Sequence, residues 1–424
     1  MTSVRPTLPL ALYRAATSLL QPLAPAVLRR RAALGKEDPG RLGERLGRAG
    51  RPRPDGPLVW LHGVSVGETQ SLLPLVDALR ARRPSVTLLV TSGTVTSAAL
   101  LARRLPEGVI HQFAPVDTPA AVRRFLDHWR PDLGLLVESE LWPNLITAAR
   151  ARGAPLALLS ARITEASARN WARAPATARV LLGAFDLVLP QDEATETRLA
   201  RLGAPLGPRL NLKLVGEPLP FDPAELARLR AAVAGRQVVL AASTHPGEEA
   251  PIADAVVRAG TEHAPLLVLA PRHPDRAEEI ARDLAGRRLA RRSLGQSIAV
   301  DTEIYLADTL GELGLLFELA DVVVMGGSFA PGIGGHNPLE PARHGKPILT
   351  GPHAFNAADV YREMFEEVAA IEAADFDALA RHVGGLLTYP AIARRVGEAA
   401  LAYAERQGQA LDGAMARLEP LLPA

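Results

Sequence analysis

The sequence predicts an α/β protein made of two successive doubly wound, Rossmann-like domains. Short apolar runs bounded by turns alternate with helical stretches, a pattern typical of parallel βαβ units. The alternation pauses at residues 216–220, where Gly and Pro indicate a linker, and then starts again. A length of 424 residues also favours two hydrophobic cores over one.

The predicted strands fall into two groups. Those of the first domain are Leu58–His62, Val86–Thr91, Ile110–Ala114, Leu133–Val137, Leu156–Ser160 and Leu187–Pro190. Those of the second domain are Val238–Ala242, Leu266–Ala270, Ile304–Leu306, Val322–Met325 and Pro347–Thr350. Intervening helical segments include Ser71–Arg82, Pro119–Trp129 and Asp192–Leu202. Two such domains of similar length suggest the GT-B architecture, in which the domains face a cleft.

We divide the chain into four parts. Residues 1–50 are expected to form an amphipathic membrane anchor and a basic linker, and residues 51–216 the first Rossmann-like domain. Residues 217–395 are expected to form the second domain. The Ala-rich segment 396–424 reads as helical, and we expect it to pack back on the first domain.

Composition excludes several classes of protein. The formal net charge of +2 provides no overall field suited to nucleic acid, so no nucleic-acid partner is expected. The chain contains no cysteine, which removes disulfides, thiolate metal sites and cysteine nucleophiles. Residues 1–53 nevertheless hold eleven Lys and Arg against three acidic residues, so a basic surface is expected at the N-terminus.

An apolar stretch near the N-terminus, Leu8–Leu28, predicts a helix that lies in a membrane surface. It contains Arg14 and three prolines, which make it a poor spanning helix. One face of the predicted helix carries Leu8, Leu12, Ala15, Leu19 and Leu23. The opposite face carries Arg14, Ser18 and Gln21. This amphipathic pattern and the following Arg29–Arg31 favour an anionic lipid surface. The alternative is an amphipathic helix packed on its own domain.

The loop after the first predicted strand carries a candidate general base, Glu68. It follows His62 and Gly63 and opens the next helix. A base at this position would need its pKa raised by burial, against the helix dipole. The alternative is a carboxylate that the dipole of the helix stabilises.

A second loop, Glu138–Asn144, carries two carboxylates two residues apart. Only one of these carboxylates, Glu138 or Glu140, is expected to face the cleft. Glu140 could instead cap the helix that begins near Pro143, and Trp142 is expected in the core. Lys213, near the domain junction, is either a solvated surface group or a countercharge for a nucleotide phosphate.

The loops of the second domain suggest an anion site. They are Ser243–Glu248, Pro271–Pro274, Leu310–Glu312 and the glycine-rich run Gly326–Glu340. Arg272 offers a planar fork for phosphate or carboxylate, helix N-termini bind anions, and Glu340 could accept ribose hydroxyl hydrogen bonds. Asp375 and Asp377 resemble a D-x-D metal motif, but they begin a helical stretch, where Asp commonly caps. No metal site is expected.

Six strings occur in one order along nearly the whole chain. They are SVGE at 65–68, ESELWPN at 138–144, STHPGE at 243–248, PRHPDR at 271–276, GGHNPLEP at 334–341 and GPHAFN at 351–356. In these strings the sequence closely resembles glycosyltransferase family 30, the 3-deoxy-D-manno-octulosonic acid (Kdo) transferases of lipopolysaccharide synthesis.

The resemblance implies a metal-independent, inverting GT-B enzyme with no cofactor. It implies CMP-Kdo as donor, and a lipid A precursor, lipid IVA, as acceptor. The first Rossmann-like domain is then the acceptor domain and the second the donor domain. By position, Glu68 is the base, and Glu138 and Lys213 are transition-state stabilisers, with Glu140 as a second candidate beside Glu138.

The resemblance also assigns the nucleotide site. Its CMP-binding positions are Pro271, Arg272, Leu310, Gly311, Glu312, Asn337, Pro338, Leu339 and Glu340. Additional candidates are Ser243, Thr244, His245, His273, Gly327 and Ser328.

The expected location is the cytoplasmic face of the inner membrane, with the chain either peripheral or held by a single N-terminal anchor. The nearest alternative function is another GT-B transferase or an epimerase that uses a UDP-sugar. A membrane-surface scaffold without catalytic activity is an alternative from another class.

Overall fold

The computed structural model describes residues 7–259 and 264–423, so the first six residues of the predicted N-terminal segment and the last residue of the chain lie outside the described part. The described residues form two compact units. One contains the residues up to Gly216 together with those from Gln407 onward, and the other is Glu217–Arg406. Each unit is built on a parallel sheet.

The sheet of the first unit contains β1 (Leu58–His62), β2 (Thr87–Ser92), β3 (Ile110–Phe113), β4 (Leu133–Val137), β5 (Leu156–Ala161) and β6 (Leu187–Pro190). The strand order is β3-β2-β1-β4-β5-β6. This is the doubly wound order, in which the direction of winding reverses between β1 and β4. Ligands of such sheets bind beyond the carboxyl ends of the strands at this switch point.

The helices of the first unit up to residue 216 are α1 (Leu8–Leu20), α2 (Ala24–Ala33), α3 (Leu42–Arg45), α4 (Val66–Ser71), α5 (Leu73–Arg82), α6 (Val95–Arg104), α7 (Pro119–Trp129), α8 (Pro143–Ala151), α9 (Glu165–Ala172), α10 (Pro175–Leu182) and α11 (Glu193–Arg201). The predicted helix Ser71–Arg82 corresponds to α5, which begins two residues later because α4 ends at Ser71. α5 begins at Leu73 and has Pro74 in its first turn. Proline is tolerated there because the N–H that it lacks would have no partner inside the helix.

The sheet of the second unit contains β7 (Val238–Thr244), β8 (Leu266–Pro271), β9 (Leu289–Arg291), β10 (Ile304–Leu306), β11 (Val322–Met325), β12 (Ile348–Thr350) and β13 (Ile371–Glu372). The strand order is β13-β12-β11-β7-β8-β10-β9, so the switch point lies between β7 and β11. The edge strands β9 and β13 have no counterpart among the predicted strands, because two or three residues interrupted by charge give no apolar run.

The remaining helices are α12 (Pro223–Val233), α13 (Glu249–Arg258), α14 (Ala277–Asp283), α15 (Leu313–Leu319), α16 (Leu339–Ala342), α17 (Ala358–Glu366), α18 (Phe376–Thr388) and α19 (Pro390–Leu418). Short 3-10 turns occupy Gln21–Leu23, Pro39–Arg41, Leu212–Leu214, Pro274–Arg276, Phe355–Ala357 and Glu419–Leu421. Both sheets are covered on two faces, which is why their central strands read as nearly continuous apolar runs.

The C-terminal segment does not begin at residue 396 as a separate part. α19 is continuous from Pro390 to Leu418, so the predicted boundary falls inside a helix. Met415 and Leu418, near its end, are fully buried in a core of the first unit beside β1, β2 and α5. The last turns of α19 therefore complete the hydrophobic core of the first unit.

The N-terminal helix α1 packs on the first unit and still presents apolar side chains to solvent. Leu10 is buried in the core, and Gln21 Oε1 accepts a hydrogen bond from the backbone N–H of Ala120 at 2.8 Å. By contrast, Leu12 is 61% exposed and Leu19 is 81% exposed. The helix thus packs on its own domain through one side and leaves the predicted leucine face open. Among the described residues, no helix combines the length and hydrophobicity needed to cross a bilayer.

Candidate active site

Glu68 lies in the first turn of α4, just beyond the loop that follows β1 at the switch point of the first sheet. Its carboxylate accepts hydrogen bonds from the Val64 N–H at 2.6 Å and from the Ser65 hydroxyl at 2.9 Å. Ser65 in turn caps α4 by accepting the Glu68 N–H. A Cβ atom at Gly63 would lie 3.1 Å from Glu68 Cβ, so glycine lets the loop close this tightly. The Glu68 carboxylate is thus half-buried in the first turn of a helix that Ser65 caps.

Glu138 follows β4, the other strand at this switch point. The strand ends at Val137, and Glu138 has a φ of +56°, a conformation that costs a non-glycine residue of order 1 kcal/mol or more. Its buried Oε1 lies 2.7 Å from Nζ of Lys213, which sits on the 3-10 turn Leu212–Leu214. The strand does not continue into this loop, because the chain turns at Glu138.

Glu140 is also buried, and its carboxylate contacts residues from two other positions in the fold. It accepts a hydrogen bond from the Trp142 indole N–H. Nε2 of His62, the last residue of β1, lies 3.3 Å from Glu140 Oε2, while His62 Nδ1 is 2.9 Å from the Thr91 hydroxyl. The neighbouring strands β1 and β4 thus bring His62 and Glu140 together.

Two expectations for this loop are wrong. Trp142 is 41% exposed, because its indole extends over Glu140 and not into the core. Glu140 does not cap α8. That role belongs to Asp117, whose carboxylate accepts the N–H groups of Asn144 at 3.1 Å and Leu145 at 2.8 Å. Asp117 also accepts the Tyr13 hydroxyl at 2.9 Å, so α1 and the start of α8 share one carboxylate.

The environments of Glu68 and Glu140 move their pKa values in opposite directions. Burial raises the pKa of Glu68, and the charge of Glu140 raises it further, against the hydrogen bond from Val64. Burial alone would raise the pKa of Glu140, but hydrogen bonding and charge from His62, with the Trp142 hydrogen bond, lower it below its usual range. Neighbouring carboxyls with separated pKa values are typical of acid–base chemistry. Glu68 is the one placed to take up a proton.

In the second unit, Ser243 and Thr244 are the last two residues of β7, and His245 follows the strand. Ser243 has a φ of +57°, and the register of β7 against β8 shifts between Ala242 and Thr244. Thr244 is fully buried, and its hydroxyl donates to Glu249 at 3.1 Å. His245 is half-buried, and its Nε2 lies 2.9 Å from Nε2 of His336, in the glycine-rich loop after β11.

The candidates after β8 lie beside this histidine pair. Pro271 ends the strand and is buried, whereas Arg272 is exposed and its backbone N–H donates to the Thr244 carbonyl at 3.0 Å. The charge of Arg272 acts on His245, His336 and Glu340. The His273 ring lies edge-on to the His245 ring, with 6.0 Å between centroids. The structure thus brings Arg272 and His273 next to His245.

The glycine-rich run forms the other side of this site. Pro338 and Leu339 are buried, and Asn337 Oδ1 accepts the Leu339 N–H at 3.1 Å. Burial raises the pKa of Glu340, which the charges of Arg343 and Arg272 oppose. The Ser328 hydroxyl donates to the Met325 carbonyl and accepts the N–H of Gly351, so this side chain is committed to the fold.

Leu310, Gly311 and Glu312 precede α15. Leu310 is 81% exposed and Gly311 has a φ of +82°. The Glu312 carboxylate binds Arg292 at 2.6 Å and the Thr309 hydroxyl. Its side chain is therefore occupied by an ion pair, and the hydrogen bond from Arg292 lowers the pKa of Glu312.

The D-x-D-like pair is structural. Asp375 caps α18 by accepting the Ala378 N–H at 2.7 Å, and Asp377 pairs with Arg258. Within residues 7–259 and 264–423, no group of three or more His, Asp or Glu residues is placed to hold a metal ion.

Three residues in these clusters are not among the predicted site residues. His62 and His336 stand inside quoted strings or beside them, but only the pairing of strands shows that they contact Glu140 and His245. Glu248 is almost fully buried, and its carboxylate accepts the N–H groups of His245, Gly327 and Phe329 at 2.7–2.9 Å. Glu248 is the last residue of the STHPGE string, and this position is the signal by which the sequence could have identified it.

Two doubly wound sheets, each with polar side chains at its switch point, define a GT-B-like α/β enzyme. A glycosyltransferase from Rickettsia africae ESF-5 has a similar fold, with a TM-score of 0.56 at 11% identity over 87% of this chain and 99% of that one. Residues 40–215 match the family described as 3-Deoxy-D-manno-octulosonic-acid transferase (kdotransferase).

Two curated relatives cover both units. The 3-deoxy-D-manno-octulosonic acid transferase of Bordetella pertussis is 40% identical over 380 residues, 85% of this chain and 86% of the relative. That of Haemophilus influenzae is 32% identical over 426 residues, 96% of this chain and 98% of the relative. The chain belongs to the 3-deoxy-D-manno-octulosonic acid transferase family.

Family membership confirms the predicted resemblance, the GT-B fold class and the prediction of a glycosyltransferase, a Kdo transferase of lipopolysaccharide core synthesis. It also decides between the two enzyme classes considered above. The chain belongs with the Kdo transferases and not with the UDP-sugar transferases or epimerases. The same family membership favours an enzyme over a scaffold without catalytic activity.

Proposed function

We propose that this enzyme transfers Kdo with inversion from CMP-Kdo to the lipid A precursor, lipid IVA, without a metal ion or cofactor. Family membership supports the transferred sugar. The observation that carries the chemistry is the pair of neighbouring carboxyls at the switch point of the first sheet, Glu68 and Glu140, whose pKa values are moved apart.

In the proposed reaction the ionised Glu68 carboxylate takes the proton of an acceptor sugar hydroxyl. The freed oxygen electron pair forms a bond to the anomeric carbon of Kdo while the bond from that carbon to the phosphate oxygen breaks. CMP leaves with the electrons of that bond, and the anomeric centre inverts. Burial that raises the pKa of Glu68 brings it nearer to the working pH, where a carboxylate is a more effective base.

Glu138 and Lys213 are proposed to stabilise the transition state. Their ion pair, with 2.7 Å between Nζ and Oε1, couples a buried carboxylate to a half-exposed ammonium beside the Glu140 loop. A fixed cation of this kind stabilises developing negative charge without reorganising. Glu140 is the second candidate, acting on Glu68 through its charge.

The second unit is proposed to bind CMP. The proposed contacts are Pro271, Arg272, Leu310 to Glu312, and Asn337 to Glu340. Arg272 provides a guanidinium for the phosphate, and Glu340 a half-buried carboxyl for a ribose hydroxyl. Positive charge from Arg272 on the leaving phosphate is the reason that we propose a reaction without a metal.

The exposed leucines of α1 are proposed to lie in the cytoplasmic face of the inner membrane. Leu12, Leu19 and Leu23 are each more than half exposed, and Arg29 and Arg30 follow on α2. Burial of such side chains in the interface, with arginines at anionic headgroups, would hold the enzyme next to its lipid acceptor.

Product analysis tests this function. The enzyme is incubated with CMP-Kdo and tetraacylated lipid A precursor, with EDTA present, and the lipid product is examined by mass spectrometry and NMR. We expect addition of Kdo with an inverted anomeric centre, and we expect no product from UDP-N-acetylglucosamine. Loss of all turnover in EDTA would contradict metal independence, and a retained configuration would contradict direct displacement.

A further inference from the structure

Two imidazoles meet at the switch point of the second sheet. His245 follows β7 and His336 lies in the loop after β11, and these two strands are neighbours. The two Nε2 atoms are 2.9 Å apart, and the rings stack at 15° with 5.1 Å between centroids. Ligands of doubly wound sheets bind at this position, so the pair stands where an anion would arrive.

The histidine pair is held by buried groups. The Glu248 carboxylate accepts the backbone N–H of His245 at 2.9 Å and that of Gly327 at 2.7 Å. A Cβ atom at Gly327 would lie 3.1 Å from His336 Nε2 and 3.2 Å from His245 Cδ2. Glycine at this position, with a φ of +68°, therefore leaves room for the two rings to meet.

The contact between the rings limits how many protons the pair can carry. Facing Nε2 atoms at 2.9 Å share one hydrogen, with one ring as donor and the other as acceptor. An additional proton places a positive charge beside Arg272 and His273, which both face the pair.

The nearby carboxylates give little compensation for that charge. Glu248 accepts three backbone N–H groups, and Glu249 binds Arg276 at 2.8 Å and the Thr244 hydroxyl. Burial, followed by the charge of the partner histidine, lowers the pKa of His336 to about 4, and burial also lowers the pKa of His245. The free pair is therefore neutral near pH 7.

We propose that His245 and His336 form a proton-linked oxyanion site, in which a phosphate or carboxylate arriving beside Arg272 draws one proton onto the pair. This inference rests on the proposed function, which supplies both anions: the phosphate of CMP and the carboxylate of Kdo. A negative charge near the rings favours the protonated form, so the bound anion and the proton stabilise each other. Binding should tighten as the pH falls toward the pKa of the free pair.

Calorimetry of ligand binding in buffers of different ionisation enthalpy tests this site. With CMP near neutral pH, we expect the wild type to take up a fraction of a proton, and His336→Gln to abolish that uptake and weaken CMP binding roughly tenfold, as expected for loss of a charge-assisted hydrogen bond. The CMP phosphate itself titrates near pH 6, so the decisive quantity is the difference between wild type and variant.

The controls separate the sources of the effect. His382→Gln, in α18 of the same unit, should leave uptake unchanged, and His245→Gln provides a second variant if His336→Gln does not fold.

Cytidine should cause no uptake. Uptake with CMP assigns the phosphate and uptake with Kdo alone assigns the carboxylate, and either supports the site. CMP and Kdo binding with equal proton uptake in wild type and variants would overturn it. Failure of the wild type to bind CMP at any pH would contradict the proposed function as well.

Discussion

The Lys213 ammonium lies 2.7 Å from Oε1 of Glu138, a carboxylate oxygen that is buried. The two residues are far apart in sequence and meet because the turn Leu212–Leu214 passes the end of β4. Since Glu138 also adopts a positive φ, the fold accepts a strained, buried charge at this place. Such sites are common where charge has a role in function.

Replacing Lys213 with Met should destabilise the enzyme, because it leaves the Glu138 carboxylate buried without a cation. We expect the free energy of unfolding in urea to fall by about 1–3 kcal/mol. The double variant Lys213→Met/Glu138→Gln should recover most of that loss while remaining impaired in transfer. Lys36→Met, at an exposed position, is the matched control. Equal stability of Lys213→Met and wild type would show that the ion pair is not maintained in solution.

Replacing Glu140 with Gln should shift the pH dependence of transfer. The charge of Glu140 raises the pKa of Glu68, so removing it should lower that pKa and leave Glu68 ionised at lower pH. The acid limb of the kcat profile should then move to lower pH, measured with both substrates saturating. Glu107→Gln, an exposed position in the same unit, should leave the profile unchanged. A shift of the acid limb to higher pH would contradict this coupling.

The double substitution Leu12→Gln/Leu19→Gln should weaken binding to vesicles of phosphatidylethanolamine and phosphatidylglycerol. Each exposed leucine that enters the interface contributes about 1 kcal/mol or more, so the pair should lower affinity roughly tenfold or more in co-sedimentation. Leu294→Gln removes a similarly exposed leucine from the second unit and should have no effect. Unchanged vesicle binding of the double variant would remove α1 from the proposed membrane contact.

Replacing Tyr13 with Phe should loosen α1 without affecting the rest of the first unit. The variant loses the hydrogen bond from the Tyr13 hydroxyl to Asp117, worth about 1 kcal/mol, so amide exchange in α1 should become roughly five times faster. Tyr389→Phe, at an exposed position, is the control. Exchange that is unchanged in α1 would mean that Leu10 and its neighbours hold the helix without this bond.

The fold could be predicted from the sequence because parallel strands buried on both faces read as apolar runs. β1, β4, β6, β10 and β11 have the predicted bounds. The short edge strands β9 and β13 could not be predicted, since they are defined by pairing with β10 and β12 and not by their own residues.

The candidate residues could be predicted by their positions after strands, but their partners could not. The contact between His62 and Glu140 depends on the register of β1 against β4, and the contact between His245 and His336 depends on β7 against β11. The turn at Glu138, where φ is positive, likewise has no glycine or asparagine to mark it in the sequence. Local pattern carries no information on these contacts.

The central claim is that Glu68 removes the proton from the acceptor hydroxyl. The most direct measurement is the single-turnover rate of Kdo transfer from CMP-Kdo to tetraacylated lipid A precursor by Glu68→Gln, with CMP affinity measured on the same preparation. We expect a rate lower by about 10²- to 10⁴-fold, the usual contribution of a positioned base, with CMP affinity unchanged. A single-turnover rate equal to that of the wild type would contradict it.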